Sequence, residues 1–211
     1  WCCTVVMTTT TKLAASSLQE GEKLLGEIRM EVLKTHSTTI LDQIDRLFEW
    51  TGKNLEEVEN VLVAIGPGSF TGVRIAISVV KGLFFGKKVN LYSINELDAN
   101  AYQVYLGIIN SIEKNSEEKI RIYSLIDSGK EKVYYAEYIV IDGDFKRKIE
   151  YRVGKLDDVL KECRASCMEM GKVYFSGDAV FNYKNKIKDT LKDKAILVED
   201  ERLKISSSTF F

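Results

Sequence analysis

The stretch from Gly66 to Gly72 (Gly-Pro-Gly-Ser-Phe-Thr-Gly) constrains the fold more than any other part of this chain, and it contains the only proline. It follows the β-branched apolar run 61–65 and precedes the largely apolar run 73–85. Because glycine and proline punctuate secondary structure, this order predicts a buried strand, a tight turn and a helix capped by Ser69 or Thr71. Backbone N–H groups at such a turn can receive an anion or a neighbouring chain. We therefore expect a weak anion or nucleotide contact at Gly66, Gly68, Ser69 and Thr71.

The residues ahead of this turn predict strands and one amphipathic helix. Residues 5–7 and 12–18 are typical of two short strands around a threonine-rich turn. Residues 22–33 fit a third strand, although their Glu and Leu content also suits a helix. From Ser37 to Trp50, apolar residues recur at the spacing of one helical face, which predicts a helix capped by Ser37 or Thr38.

The polar stretch Asn115–Lys119 marks the expected boundary between two lobes, residues 1–114 and 115–211. Beyond it, residues 121–127, 132–140 and 146–153 predict a three-stranded meander, which helix, strand, helix and strand follow. Three strands followed by helix–strand–helix also describe the first half. This repeated architecture predicts an α/β fold of two stacked ribonuclease-H-like lobes.

Composition excludes several classes of protein. The 211 residues carry a formal net charge of −1, which argues against a dedicated nucleic-acid binder, because such proteins gain affinity by neutralising phosphates. No apolar run reaches the ~18 residues that a membrane span needs. The four cysteines, two of them adjacent, do not resemble a disulfide framework and favour reduced thiols in the cytosol.

Histidine and cysteine offer few candidates for chemistry. His36 is the only histidine, so two-histidine metal motifs are excluded, and a capping or packing role at the helix start is favoured over a site or interface role. Cys163 and Cys167 lie one helical turn apart, but no second ligand pair accompanies them. Two small apolar side chains on one helix face explain this pair better than a metal site.

Two aspartates and a group of lysines could each have a functional or a purely structural role. Asp127 and Asp178 lie where two-lobed nucleotide-binding folds keep acids for metal-bound phosphate, but a turn-capping Asp and a helix N-cap are favoured. A solvated helix face is favoured over a phosphate-binding patch for the lysines at 184, 186, 188, 192 and 194.

The helix predicted from Thr71 to Phe85 is apolar around most of its circumference, which a helix packed on one side does not need. Small residues at 68, 72, 76 and 78 would let another backbone approach closely. With the helix that carries Ile40, Ile44 and Phe48, it could form a patch large enough to dimerise. The alternative, that both helices are sandwiched on the sheet, stays open.

Residues 66–74 (GPGSFTGVR) closely resemble the TsaB (YeaZ) family, the non-catalytic partners in bacterial threonylcarbamoyladenosine modification of tRNA. His36-Ser37 is similar to the family's HS motif, and residues 93–97 to its Ser-Ser-Leu-Glu motif. Residues 125–128 with 133–136 resemble its L-I-D-A-R…V-Y-Y-A hairpin, and Gly177-Asp178 its later G-D.

The resemblance implies the actin-like ATPase fold, with mixed five-stranded sheets and flanking helices in both lobes. It implies a cytoplasmic scaffold without catalytic residues, metal or cofactor of its own, required for threonylcarbamoyladenosine at position 37 of tRNAs that read codons starting with A. Expected partners are the metal-dependent TsaD transferase and the TsaE ATPase, with tRNA reached only through the complex and a homodimer formed by the isolated protein. The expected partner interface comprises His36, Ile40, Ile44, Phe48, Gly72, Arg74, Ser78 and Lys81.

Three departures from the family pattern concern Thr8, the turn at Ser128-Gly129-Lys130 and the end at Phe211, where a truncated tail is expected. In actin-like ATPases the first strand normally ends in an aspartate that serves the nucleotide, and Thr8 takes that position here. A helix N-terminus contributes up to ~2 kcal/mol toward an anion, whereas micromolar nucleotide binding needs about 8 kcal/mol. We therefore expect no nucleotide hydrolysis by this chain alone.

Two rival functions stay open. One is an active enzyme of the actin-like superfamily, either a small-molecule kinase or a glycoprotease-like hydrolase, which would bind Mg-ATP unaided. The other is a free-standing tRNA-binding module, which would bind tRNA alone with a steep salt dependence.

Overall fold

A computed structural model describes residues 2–10, 13–31, 36–109, 119–170 and 173–198 of the chain. For residues 13, 36–38 and 166–170 only the backbone is described.

The chain divides into two compact units between Glu96 and Leu97, earlier than the boundary expected at 114/115. The stretch that suggested this boundary, residues 115–118, lies outside the described residues. Helix α3 (Glu96–Ile108) explains the earlier division. It buries Leu97, Ala101 and Val104 in one apolar cluster with strands of the second half.

The first unit contains a five-stranded sheet of order β3-β2-β1-β4-β5. The strands are β1 (Cys3–Thr8), β2 (Leu13–Glu20), β3 (Lys23–Glu31), β4 (Val58–Ala64) and β5 (Asn90–Ile94). Strands β1, β2 and β3 pair antiparallel, whereas β1 pairs with β4 and β4 with β5 in parallel. The segment that fitted either a strand or a helix is therefore a strand, because β2 offers it a pairing partner.

Helices α1 (His36–Thr51) and α2 (Phe70–Leu83) cover one face of this sheet. The buried cluster beneath them joins alternate residues of β1 and β4, including Val5, Met7 and Val61, to Ile40 and Ala76. The periodicity that predicted α1 is confirmed, because its apolar face is the side that packs on the sheet.

The second unit repeats this plan, with a sheet of order β10-β9-β6-β7-β8. Its elements are β6 (Ile120–Gly129), β7 (Lys132–Ile141), β8 (Asp144–Lys155), α4 (Leu156–Met170), β9 (Val173–Ser176), α5 (Asp178–Leu191) and β10 (Ala195–Leu197). Strands β6, β7 and β8 form an antiparallel meander, and β6, β9 and β10 pair in parallel. The predicted repeat of architecture is confirmed.

A buried ion pair lies within the second sheet. Arg121 and Glu137 are each 1% exposed, and the Arg121 Nε–H donates to Glu137 Oε1 at 2.5 Å. Arg121 also lies beside the Tyr123 ring, with its guanidinium carbon 5.7 Å from the ring centre. Removing one partner of such a pair leaves an uncompensated buried charge, so the pair ties β6 to β7.

Candidate functional site

The glycine-rich turn places Ser69 at the N-cap of α2. The Ser69 side chain accepts a hydrogen bond from the Gly72 N–H at 3.1 Å, and its carbonyl accepts from the Val73 N–H at 2.9 Å. Of the two caps that the sequence allowed, the structure uses Ser69, while Thr71 is exposed in the first helical turn.

The loop after β1 lies directly against this turn. The Ser69 N–H donates to the Thr10 carbonyl at 2.6 Å, and the Thr9 hydroxyl donates to the Gly72 carbonyl at 2.6 Å. A Cβ on Gly72 would overlap the Thr9 carbonyl oxygen and lie 2.9 Å from its carbon. A Cβ on Gly68 would meet the Thr10 carbonyl in the same way. Glycine is therefore required at both positions by backbone of the same chain.

The start of the turn is fixed from the other side. The peptide between Gly66 and Pro67 is cis, and Gly66 has a φ of +102°, a region that favours glycine. The Gly66 carbonyl accepts from the Glu96 N–H at 2.7 Å, and the Ile65 N–H donates to the Ile94 carbonyl at 3.0 Å. These bonds tie the turn to the end of β5 and the first residue of α3.

Glu96 is the functional-looking residue that the sequence reasoning missed. Its side chain is buried, and Oε2 accepts hydrogen bonds from the Thr10 hydroxyl at 2.6 Å and the Thr8 hydroxyl at 3.2 Å. The two hydroxyls also lie 3.1 Å apart. The sequence placed Glu96 only within the motif at residues 93–97. The four consecutive threonines were the available signal, because buried hydroxyls need polar partners.

This arrangement leaves the turn with few hydrogen-bond donors for an anion. The N–H groups of Ser69 and Gly72 already donate to acceptors inside the chain. The Thr9 and Thr10 carbonyls, which repel anions, lie against Gly72 and Gly68. The expected anion contact at Gly66, Gly68, Ser69 and Thr71 stays a prediction, with fewer available donors than the sequence suggested.

The expected partner residues separate into a buried set and an exposed set. Ile40 is fully buried and Ile44 is 3% exposed, and both belong to the core of the first unit. Their inclusion in a surface interface was wrong, because the same periodicity that forms α1 points these side chains at the sheet. Phe48 packs against this core, Gly72 is buried, and the side chain of His36 lies outside the description.

Arg74, Ser78 and Lys81 are exposed along α2. Phe70 and Phe85, which the sequence reasoning left out, extend this line at its two ends and are 75% and 89% exposed. The spacing of the first four residues, four, four and three positions, places them along one side of the helix, and Phe85 lies in the turn that follows it. We call them the α2 stripe.

The second unit has a counterpart to the glycine-rich turn. Asp127, near the end of β6, accepts from the Gly129 N–H at 2.8 Å, which confirms the turn-capping interpretation. Asp178 does not N-cap α5. Gly177 takes that position, and the Asp178 carboxylate accepts from the Asp127 N–H at 2.8 Å. Asn182 and Tyr183 also donate to the Asp127 carboxylate, at 2.7 and 3.1 Å.

The structure shows the surroundings of two further candidates, Lys186 and Cys163. Lys186 contacts Asp157 at 3.0 Å and Glu131 at 3.2 Å, and these hydrogen bonds raise its pKa above the ordinary lysine value. Cys163 is fully buried in the core of the second unit, whereas the Cys167 side chain lies outside the description. Across the described ranges, no cluster of three or more His, Cys, Asp or Glu could hold a metal ion. None of the described helices is long and apolar enough to cross a membrane.

Known proteins similar to this chain belong to the family that the sequence motifs resemble. A family model described as TsaD, tRNA N6-adenosine threonylcarbamoyltransferase, matches residues 25–207. The chain is 29% identical over 147 residues to the tRNA threonylcarbamoyladenosine biosynthesis protein TsaB of Haemophilus influenzae. That alignment covers 69% of this chain and 58% of the relative. The chain spans about half the length of the curated relatives it matches.

Two solved structures from Pseudomonas aeruginosa are similar to this one. YeaZ superposes with a TM-score of 0.59 at 26% identity, covering 72% of this chain and 66% of that one. An uncharacterized protein with similarity to peptidase YeaZ superposes with a TM-score of 0.70 at 20% identity, covering 93% and 83%. With the two mixed five-stranded sheets, these likenesses confirm the predicted actin-like ATPase fold.

Proposed function

The chain belongs to the TsaD family, and within it to the TsaB (YeaZ) group, and we propose that it is an accessory subunit in the formation of threonylcarbamoyladenosine in tRNA. It acts in the cytoplasm, in a complex with a TsaD-type transferase and the TsaE ATPase. The modified base is at position 37 of tRNAs that read codons starting with A. The chain contributes no catalytic group, and ATP and metal are bound by the partner subunits.

One observation carries the non-catalytic part of this proposal. Where actin-like ATPases normally keep an acid, β1 ends in Thr8, whose hydroxyl donates inward to the buried Glu96. The backbone of Thr9 and Thr10 packs against the glycines of the turn. A loop that uses its carbonyls and hydroxyls to close its own turn supports a scaffold better than a phosphate site.

The α2 stripe supports a partner-binding role. It exposes two phenylalanines, one at the first residue of α2 and one in the turn after the helix, with three polar or charged residues between them. The Arg74 guanidinium lies 5.5 Å from the centre of the Phe70 ring, a cation–π arrangement that holds both side chains on the surface. Aromatic residues and arginine dominate the binding energy of protein interfaces. We place the transferase on this stripe, and a second copy of the chain when the transferase is absent.

The test is co-elution with the cognate transferase and reconstituted threonylcarbamoylation of a tRNA transcript. The double variant Phe70→Ala/Phe85→Ala should weaken binding of the transferase at least tenfold, because each hot-spot truncation costs about 2 kcal/mol. The matched control Leu91→Ala/Tyr92→Ala removes two exposed apolar side chains, 58% and 54% exposed, from β5 of the same unit. It should leave binding within twofold.

Two outcomes contradict different parts of the proposal. Modification at full rate without the wild-type chain would overturn the accessory function. Undiminished binding by Phe70→Ala/Phe85→Ala, with the wild-type chain required, would move the interface away from α2.

A second candidate, an active enzyme of the actin-like superfamily, is favoured by one observation. Asp127 and Asp178 meet at the ends of β6 and β9, where such enzymes hold metal-bound phosphate. Calorimetry with Mg-ATP separates the two candidates. A kinase should bind it without partners, and the proposed subunit should not.

A further inference from the structure

Strand β8 forms the outer edge of the second sheet and is its most exposed strand. In the described sheet it pairs only with β7, so its outer backbone groups face solvent. Its sequence, DFKRKIEYRVGK, carries five cations and two anions. The chain as a whole has a formal net charge of −1, so positive charge is concentrated on this strand.

The cations of this region fall into two groups. At the start of β8, Lys146 pairs with Asp144 at 3.1 Å, Arg147 with Asp98 at 3.4 Å, and Lys148 lies 3.6 Å from Glu137. Toward the end of β8 and across to β7, no described carboxylate lies within ion-pair distance of Lys130, Lys132, Arg152 or Lys155, and all four are exposed. We call these four residues the β7–β8 basic edge.

The basic edge holds like charges close together. Lys132 and Lys155 are directly paired across β7 and β8, and like charges in this position destabilise a sheet. The adjoining turn holds Lys130 and Glu131 at φ of +52° and +57°, where glycine or asparagine is usual. The nearby carboxylates are engaged elsewhere, since Glu131 and Asp157 contact Lys186 at 3.2 and 3.0 Å and Glu150 contacts Arg147 at 3.2 Å. Repulsion of this kind is relieved when an anion binds.

An exposed aromatic ring and an exposed apolar side chain adjoin these charges. Tyr151 is 41% exposed, and the Arg147 guanidinium stacks 4.2 Å from its ring centre. Burial and a hydrogen bond to Asp98 raise the pKa of Tyr151 to about 12, so its hydroxyl keeps its proton at neutral pH. Val153, between Tyr151 and Lys155 on the strand, is 58% exposed. Cations beside aromatic and arginine planes are the combination that binds phosphates and unstacked bases of RNA.

We propose that the β7–β8 basic edge contacts the sugar–phosphate backbone of RNA, and that this RNA is the tRNA held by the assembled complex. The tRNA assignment rests on the proposed function, and the cation arrangement itself does not. The chain then forms part of the RNA-binding surface of the complex, separate from the α2 stripe. Lys130, Lys132, Arg152 and Lys155 supply the charge, and the free N–H groups of β8 supply further donors.

The experiment measures the affinity of the complex with the transferase for a fluorescent tRNA transcript, between about 50 and 200 mM salt. The variant Lys132→Ala/Arg152→Ala/Lys155→Ala should bind the transcript at least tenfold more weakly. It should also reduce the slope of log K against log salt by about 2, because each phosphate that is no longer neutralised lowers this slope by roughly 0.7–0.9. The control Lys23→Ala/Lys88→Ala/Arg164→Ala removes three exposed cations that also lack a described carboxylate partner. It should change affinity less than twofold.

A charge-conserving variant, Lys132→Arg/Arg152→Lys/Lys155→Arg, should restore binding. None of the three variants should unfold at a lower temperature than wild type, and the alanine variant, which removes the Lys132–Lys155 repulsion, should unfold at a slightly higher one. Affinity within twofold of wild type for the alanine variant would overturn the RNA contact. So would a loss of polyglutamate binding with tRNA binding intact, since that result assigns the edge to an acidic protein.

Failure of the two proposals is distinguishable, because assembly with the transferase is measured separately by co-elution. Normal assembly with unchanged tRNA affinity refutes the RNA contact alone. If the wild-type chain does not assemble, the proposed function fails. The same variants of the full chain, with the transcript at about 50 mM salt, then decide the RNA contact.

Discussion

Each unit packs backbone carbonyls against the glycine-containing turn between a strand and a helix. The two units share this backbone contact, but the side chains that surround it differ. In the first unit, the carbonyls of Thr9 and Thr10 lie against Gly72 and Gly68. In the second, the Leu125 carbonyl lies against Gly177, where a Cβ would come within 2.9 Å of the carbonyl carbon. Both units therefore require glycine in the turn for the same steric reason.

The polar groups around the two turns differ. Threonine hydroxyls in the first unit converge on the buried carboxylate of Glu96. In the second unit the carboxylate belongs to Asp127 at the strand end, and Asn182 and Tyr183 donate to it near the surface. The backbone contact therefore belongs to the fold, whereas the accompanying side chains differ between the two units.

The largest effect is expected from Gly72→Ala. Its Cβ would overlap backbone of Thr9, which cannot rotate away as a side chain can. We expect a loss of about 3 kcal/mol or more in the free energy of unfolding, at the upper end of overpacking costs. Gly82→Ala, in the same helix with nothing within 4 Å of the new Cβ, should stabilise the protein by up to about 1 kcal/mol.

Urea unfolding of both variants checks this prediction. From the sequence alone, Gly72→Val is expected to abolish partner binding, because a branched side chain would block a facing backbone and crowd the turn, without necessarily unfolding the domain. In the structure, the first obstacle to a side chain at this position is the Thr9 carbonyl of the same chain. A folded, fully stable Gly72→Ala variant that fails to bind the transferase would favour the blocked partner as the explanation.

The second unit should respond in the same way to Gly177→Ala. The new Cβ would overlap the Leu125 carbonyl oxygen, and the φ of +100° is strained for any residue with a side chain. We expect a loss of about 2–3 kcal/mol in urea unfolding. Loss at Gly72 without loss at Gly177 would break the claim that both units share one steric constraint.

Thr8→Asp tests the difference in side chains and should have a smaller effect that depends on pH. The new carboxylate would lie beside Glu96, whose Oε2 is 3.2 Å from the Thr8 hydroxyl. Two adjacent carboxylates raise the pKa of one of them in the folded state above the unfolded value of about 4. The variant should therefore lose about 2 kcal/mol relative to wild type near neutral pH.

The direction of the pH dependence identifies this cause. Because the folded-state pKa is raised, the loss should be fully present above that pKa and should shrink as pH falls toward the unfolded value. Urea unfolding of variant and wild type near pH 5 and pH 7.5 measures the difference. A loss that is the same at both pH values would show that size, not charge, causes it.

The smallest effect is expected at Asp127 in the second unit. Asp127→Asn keeps the size of the side chain but weakens its hydrogen bonds, so unfolding should cost about 1 kcal/mol less. Burial and the Asp127 carboxylate raise the pKa of the Tyr183 phenol above its ordinary value. In the variant that pKa should move down, which NMR titration of labelled tyrosine detects. An unchanged pKa of Tyr183 would assign its shift to burial alone.

Much of the fold could be predicted from local patterns. Periodicity located α1, glycine and proline located the turn before α2, and β-branched runs located β4, β6 and β7. The exceptions were local ambiguities, such as the segment that became β3. The expected lobe boundary followed a polar stretch, but the division of the fold follows the packing of α3 residues such as Leu97.

The candidate site was predictable only in part. Gly72 and Ser69 were identified from the sequence, because a tight helix start constrains residue type at short range. Ile40 and Ile44 were assigned to a surface because an apolar face is the same pattern whether a sheet or a partner covers it. The exposure of Phe70 and Phe85 could not be predicted either, because the spacing of apolar residues does not show which of them the fold covers.

The sequence by itself determined where helices, strands and turns form, because backbone preference and side-chain period act over a few residues. Only the tertiary structure decided which side of each helix is covered and which polar groups meet. Thr10 and Glu96 are 86 positions apart, and no local rule pairs them. They meet because β1 and β5 both pair with β4, which brings together the residues that follow these two strands, and a buried hydroxyl and a buried carboxylate must satisfy each other.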